Sequence, residues 1–237
     1  MKIVFTCLLW LIFSFNSISQ ETTLGIDVGA GQFNMADFKN INQTVVKGLY
    51  FDARITDNFP MNIVYKPFIH KTFKNKWGFG IKYSLSSSGS LISREDYSGS
   101  YFFKNQTRYS SPGFTIDYCL GSIHKFRFIV YNDFGWEFSN SKMHESLIVS
   151  SLFKDEMHNY RSTNIYTEPG FRIEYPYKDF FRFGFYTGYL IDKQGEIKEA
   201  TSVFNLKELY DLSKHGNSMN WSGIRFGVSF SFKFPED

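Results

Sequence analysis

From Gly223 to Phe234 the chain alternates without a break. Ile224, Phe226, Val228, Phe230, Phe232 and Phe234 fall on one face; Gly223, Arg225, Gly227, Ser229, Ser231 and Lys233 fall on the other. A period of two is strand geometry, and one apolar face beside one polar face defines a strand between two unlike media. A chain that repeats this pattern must bury one face of a sheet and wet the other.

The pattern does repeat. Leu24, Ile26, Val28 and Ala30 alternate with Gly25, Asp27, Gly29 and Gly31. A second strand near 59–69 has Phe59, Met61, Ile63 and Tyr65 on one face, with Pro60 and Pro67 weakening it. Trp77 to Leu85, Phe114 to Leu120, Phe126 to Phe138 (interrupted by Asn132), Phe171 to Tyr175 and Phe181 to Ile191 supply five more. With 223–234 the total is eight. Short links near 70–76, 122–125 and 176–180 alternate with long polar stretches near 34–57, 88–107, 140–161 and 193–218. A soluble sandwich has no reason to sort its connections by end. A membrane barrel does, with short periplasmic turns and long external loops.

A soluble lipocalin-type barrel also has one apolar face, and the glycines separate the two cases. Thirteen of the 18 glycines lie on polar strand faces: 25, 29, 31, 78, 80, 113, 121, 135, 170, 184, 188, 223 and 227. The other five are expected in loops. On an outer, solvated face glycine only weakens a strand, whereas in a narrow lumen small residues relieve crowding. The polar face therefore points inward and the aromatics outward, into lipid. This also reconciles an aromatic content of 20% with a mean hydropathy of −0.27.

The fold class expected is all-β: an eight-stranded antiparallel up-and-down transmembrane barrel with short periplasmic turns and four long external loops. Its lumen then contains Asp27, Lys82, Asp117, Arg127, Asp133, Glu137, Arg172, Glu174, Arg182, Arg225 and Lys233. Five are acidic and six basic. A pore selective for one sign of ion would line itself with that sign's opposite. Mixed charges in a tight space instead pair, since an unpaired buried charge is very costly. The expectation is an interior polar plug.

At the N-terminus, Lys2 precedes an apolar run from Ile3 to Phe15, and Ser17 and Ser19 are small residues at the positions a signal peptidase reads. The run is shorter than the roughly 20 residues a membrane helix needs. A cleaved signal peptide over 1–19 is expected, leaving a barrel domain over 20–237. Cleavage removes Lys2 and Cys7, so the formal charge falls from +3 to +2 and Cys119 is the one cysteine left. Such a balance gives no reason to expect a nucleic-acid partner, and the scattered histidines 70, 124, 144, 158 and 215 show no metal-ligand spacing.

The ensemble resembles the small outer-membrane β-barrel proteins, the OmpA- and OmpX-like group of the porin superfamily. The residues that carry it are the opening Leu24-Gly25-Ile26-Asp27-Val28-Gly29-Ala30-Gly31 and the closing run from Ser222 to Phe234. The resemblance implies that Phe230, Phe232 and Phe234 form the signal read by the barrel-assembly machinery. Here Pro235-Glu236-Asp237 follow the final aromatic, where family members commonly end on it. Outer-membrane lipid, that machinery and a ligand at the external loops are the partners implied. The location implied is the outer membrane of a Gram-negative bacterium.

No catalytic set can be assigned. His144-Glu145-Ser146 resembles the His-x-Ser element of outer-membrane lipid A deacylases, but it falls at the start of a long loop and is followed by Leu147 rather than Asn. A serine nucleophile needs a base and an orienting group in reach. His70 and His124 are read as solvated turn residues, and Cys119 as an inward filler. Gly29-Ala30-Gly31 lies inside a strand and lacks the Lys-Ser/Thr of a phosphate loop, so no cofactor is implied. One helix is expected, over 206–215, capped by Asn205 and ended by Gly216. Function divides three ways: a structural or surface-binding barrel, favoured; a small-solute passage of the OmpW-like kind; and, third, a lipid-modifying enzyme.

Overall fold

A computed structural model describes residues 19–74, 76–149, 152–178, 180–193, 197–202 and 218–234. In chain order these form β1 (Ser19–Gly31), α1 (Ala36–Gly48), β2 (Arg54–Asn58), β3 (Asn62–Phe73), β4 (Trp77–Asp96), β5 (Gly99–Ile123), β6 (Phe126–Val149), β7 (Leu152–Lys178), β8 (Phe181–Lys193), β9 (Lys198–Ser202) and β10 (Gly223–Phe234). Eight of the strands close a ring in the order β1-β3-β4-β5-β6-β7-β8-β10, every neighbour antiparallel. β1 closes on β10, with Ile26 opposite Phe230 and Val28 opposite Val228. The barrel is thus up-and-down, and closure leaves no edge in its wall. β2 adds to the upper end of β4, and β9 to β7.

Alternation sends the apolar set outward. Trp77, Phe79, Trp136, Phe185, Phe226 and Phe232 are all 46–59% exposed. The inward set is charged: Asp27, Lys66, Lys82, Glu168 and Arg225 are at most 2% exposed. This inversion of a soluble core suits a wall with hydrocarbon outside and a polar lumen inside.

Prolines sit where the ladder has a gap. Pro67 falls where β3–β4 pairing is broken between Tyr65 and Phe68, Pro112 where β5–β6 breaks, and Pro169 where β7–β8 breaks. A residue without an N–H is tolerated there. The glycines receive tyrosines from other strands, one or two places round the ring. A β-carbon on Gly170 or Gly188 would run into the Tyr131 phenol; on Gly113 it would meet Tyr166, and on Gly29 Tyr186. Gly89 and Gly99, expected in loops, lie within β4 and β5.

The short links keep to one end, between Phe73 and Trp77, Ile123 and Phe126, and Lys178 and Phe181. At the other end much of what reads as loop is strand. Most of 88–107 and 140–161 continues the wall as long hairpins, with Asp96 opposite Gly99 and Val149 opposite Leu152. On β6 the ten residues past Ser139 extend the wall by about 25 Å at the usual rise and strand tilt. Polar residues on both faces hide such strands from an apolar-alternation search, because neither face meets lipid.

The stretch 34–57 contains α1, which the sequence reading missed. Phe38, Ile41, Asn42 and Val45 are its buried face, at helical spacing. The helix expected over 206–215 lies outside the described residues. Below α1, Phe33 stacks edge-on against Trp221 at 4.8 Å, and Met35, Phe59, Ile92, Leu190 and Met219 complete an apolar core inside the extended end of the barrel.

Candidate functional site: the plugged lumen and the outer hairpins

Three layers fill the interior. The middle one is ionic. Lys82 from β4 reaches Asp133 of β6 at 2.9 Å and Asp27 of β1 at 3.3 Å, and Arg172 of β7 joins the same Asp27 oxygen at 3.1 Å. Beside it Lys66 of β3 pairs with Glu168 of β7, whose other oxygen takes Arg225 of β10 at 3.1 Å. Lys82 and Arg172 both lie against the rings of Phe68 and Tyr131, at 5.2–5.8 Å. Cations held by carboxylates on one side and aromatic faces on the other are well solvated by protein.

The layer toward the short turns is looser. Arg182 and Lys233 converge on Glu21. Arg127 lies 3.7 Å from Glu174, which Arg172 approaches at 3.6 Å, and Asp117 meets His70 at 2.8 Å. His70 is therefore not a solvated turn residue: it belongs to β3 and points into the barrel, since the turn begins only after Phe73. His124 does stand in a turn, with φ 56°. Cys119 is buried, its Sγ 3.7 Å from the Gly121 carbonyl.

The third layer faces the apolar core. Trp221 Nε1 donates to Ser139 at 2.8 Å, and Ser139 donates to Glu137 at 3.0 Å. The Trp221 amide and the Asn164 side chain both donate to Asp192, at 3.1 and 2.9 Å. All eleven inward charges named from the sequence are thus placed. Glu21, Lys66, Glu168 and Asp192 are partners that the reading did not name, and His70 is one that it placed in a turn. For Lys66 the signal was present but masked: its face also contains Val64 and Phe68, both buried, so β3 shows no clean polar side.

Outside, His144-Glu145-Ser146 lies within β6 rather than in a loop. His144 Nε2 is 2.6 Å from Asp155 on β7, which gives the imidazole an orienting acid. It stands six residues past Phe138, the last outward aromatic of β6, or about 15 Å beyond the apolar band. Glu145 accepts from Lys154 at 2.9 Å and from the Tyr101 hydroxyl at 3.1 Å. Partial burial opposes the Lys154 charge, yet Glu145 and Glu156 hold its pKa above the ordinary lysine value. Among the described residues no group of three or more His, Cys, Asp or Glu side chains could hold a metal.

The architecture so defined is that of small outer-membrane β-barrels. A major outer membrane protein of Thermus thermophilus matches with a TM-score of 0.50 and 10% identity, over 90% of this chain and 99% of that one. OprG of Pseudomonas aeruginosa matches with a TM-score of 0.44 and 12% identity, over 92% and 98%. Ail of Yersinia pestis, in complex with the heparin analogue sucrose octasulfate, matches with a TM-score of 0.43 and 10% identity, over 90% and 98%. The likeness is one of fold. No family model and no curated protein matches the sequence.

Proposed function

We propose that the protein is an outer-membrane barrel closed to solutes, whose role is structural or surface-binding through the tall hairpins at its external end. One observation carries this reading. The lumen is crossed by the Asp27-Lys82-Asp133-Arg172 and Lys66-Glu168-Arg225 clusters, and beyond them it is filled by α1 and its apolar core. A route for solute would have to break paired, buried charges, which costs several kcal/mol per group (~3–5). The outward aromatic band supports a lipid setting. The three short turns then face the periplasm, and the β4–β5 and β6–β7 hairpins the exterior.

The eleven inward charges form the plug in this reading. A signal peptide ending at Ser19 leaves a mature chain that starts at Gln20, the second residue of β1. Phe230, Phe232 and Phe234 present outward-facing rings to the assembly machinery. A lipid-modifying role for His144 and Ser146 is disfavoured by their height above the band.

The test is a membrane fraction run on a gel with and without boiling, followed by reconstitution into planar bilayers. A compact, outer-membrane band that shifts on boiling, with no conductance above baseline, is expected. Steady ion conductance would replace this reading with the solute passage. A soluble protein with no heat shift would remove the membrane setting itself.

A further inference from the structure

The outer wall of β5–β7 has a cluster of like charges just beyond the aromatic band. Lys104 and Arg108 on β5, Lys142 on β6 and Arg161 on β7 all point outward and are exposed. The register fixes their spacing. Lys142 stands opposite Gln106 on one side and Asn159 on the other, while Asn140 stands between Arg108 and Arg161, and His144 stands opposite Lys104. Lys142 is therefore the diagonal neighbour of Lys104, of Arg108 and of Arg161 at once. Diagonal side chains on a sheet are about 7–8 Å apart.

Gln106, Asn140 and Asn159 lie between these four, and Ser87, Gly89 and Leu91 of β4 stand beside them, so no acidic side chain among the described ones dilutes the charge. The nearest outward carboxylate on β7, Asp155, is taken by His144. None of the four cations makes an ion pair among the described residues. Like charges placed so closely repel one another. An anion bound among them offsets that repulsion. Amides between the cations add donors of the kind that bind phosphate oxygens.

Height selects the anion. Lys142 lies four residues past Phe138, and Arg161 four residues before Ile165, about 10 Å beyond the apolar band, while Lys104, opposite His144, stands at about 15 Å. That is the outer edge of the lipid headgroup layer, within reach of long lysine and arginine side chains. We infer that the Lys104-Arg108-Lys142-Arg161 face is a binding site for the phosphate groups of outer-leaflet lipid, fixing the barrel's depth and rotation beside its lipid shell. This rests on the membrane reading above and goes beyond it by naming the surface and the headgroup chemistry.

The experiment compares the heat-shifting wild-type barrel with two fourfold variants of equal charge change. One is Lys104→Gln, Arg108→Gln, Lys142→Gln and Arg161→Gln. The other, at the short-turn end, is Lys74→Gln, Lys76→Gln, Lys125→Gln and Lys178→Gln. Binding of purified lipopolysaccharide, intact or stripped of phosphate, is measured in detergent micelles. Expected are tighter binding of the intact form by wild type and the turn variant, a loss of at least tenfold in the wall variant, and weakening with added salt. Equal binding by all three proteins overturns the inference. So does soluble heparin bound as tightly as the lipid, which would reassign the face to a free polyanion. A wild-type chain that stays soluble with no heat shift brings down the membrane reading first, and is told apart by that gel alone.

Discussion

Lys82 Nζ lies 2.9 Å from Asp133 Oδ2 in the middle of the lumen, with both side chains 1% exposed. Asp27 completes the contact at 3.3 Å. Removing the cation alone would strand Asp133 in a dry interior, while Asp27 keeps Arg172. Lys82→Met is expected to cost about 3–5 kcal/mol, the usual penalty for breaking a buried pair from one side. The readout is the urea midpoint of the heat-modifiable form. Adding Asp133→Asn to Lys82→Met should recover much of the loss, because the Asp27–Arg172 pair at 3.1 Å then remains balanced. A midpoint unchanged by Lys82→Met would mean that water, not Lys82, solvates these acids.

Tyr131 and Gly170, opposite each other on the adjacent strands β6 and β7, form a second kind of contact inside the lumen. The phenol rests where a β-carbon on Gly170 would stand, and its hydroxyl donates to the Thr187 carbonyl at 3.3 Å. Gly170→Ala is expected to destabilise the barrel by about 1–3 kcal/mol through overpacking. Combined with Tyr131→Ala, the part of the loss due to the ring should vanish, leaving only the approach of the new β-carbon to the Thr187 carbonyl at 2.6 Å. Additive losses in that cycle would show that the glycine serves the backbone rather than the ring.

What the sequence could and could not say follows from which faces meet unlike media. Between Phe126 and Phe138 one face touches lipid and the other the lumen, so β6 is legible there. Past Asn140 both faces of the same strand are polar or mixed, and strand reads as loop. β3 is harder still, since its inward Val64 and Phe68 blur the contrast that would expose Lys66 and His70. Glu168 escaped notice because Pro169 follows it and breaks the β8 pairing. α1 was legible in principle: Phe38, Ile41 and Val45 keep helical spacing, but without a side-chain cap at Met35, where φ is 45°, no start signal marks it. Pairings across the lumen, such as Lys66 with Glu168 over 102 residues, depend on strand order and register. No local pattern encodes those.

At the tip of the β4–β5 hairpin Asp96 accepts from the Ser98 hydroxyl and from the Ser98 amide at 2.8 Å, with Arg94 Nε at 3.0 Å. These donors favour the ionised form, so the Asp96 pKa lies below its ordinary value of 3.8. A depressed carboxylate pKa contributes stability above the unfolded-state value and loses it as pH falls through the folded one. The turn should therefore hold at about pH 5 and loosen only below about pH 3.8. The Ser98 amide shift, followed by NMR in micelles from about pH 6 to about pH 2, should titrate with a midpoint under 3.8 and become flat in Asp96→Asn. A midpoint at or above 3.8 would contradict the assignment.

The two seals of the lumen act in series, and that order predicts an asymmetric outcome. α1 rests on Phe38, Ile41 and Val45 and is tied at one end by Asp37, which accepts from the Ser218 amide and hydroxyl at 2.8 and 2.9 Å. Asn42 adds a bond to Asn58 at 3.0 Å. Phe38→Ala removes a fully buried ring and should weaken this seal by about 3–5 kcal/mol. The ionic layer below shares none of these residues. Loosening α1 should therefore speed protease cleavage within 36–48 and leave both the boiling shift and the baseline conductance unchanged. If Phe38→Ala alone opens a conducting path, the Lys82 and Lys66 clusters do not close the lumen, and α1 is its gate.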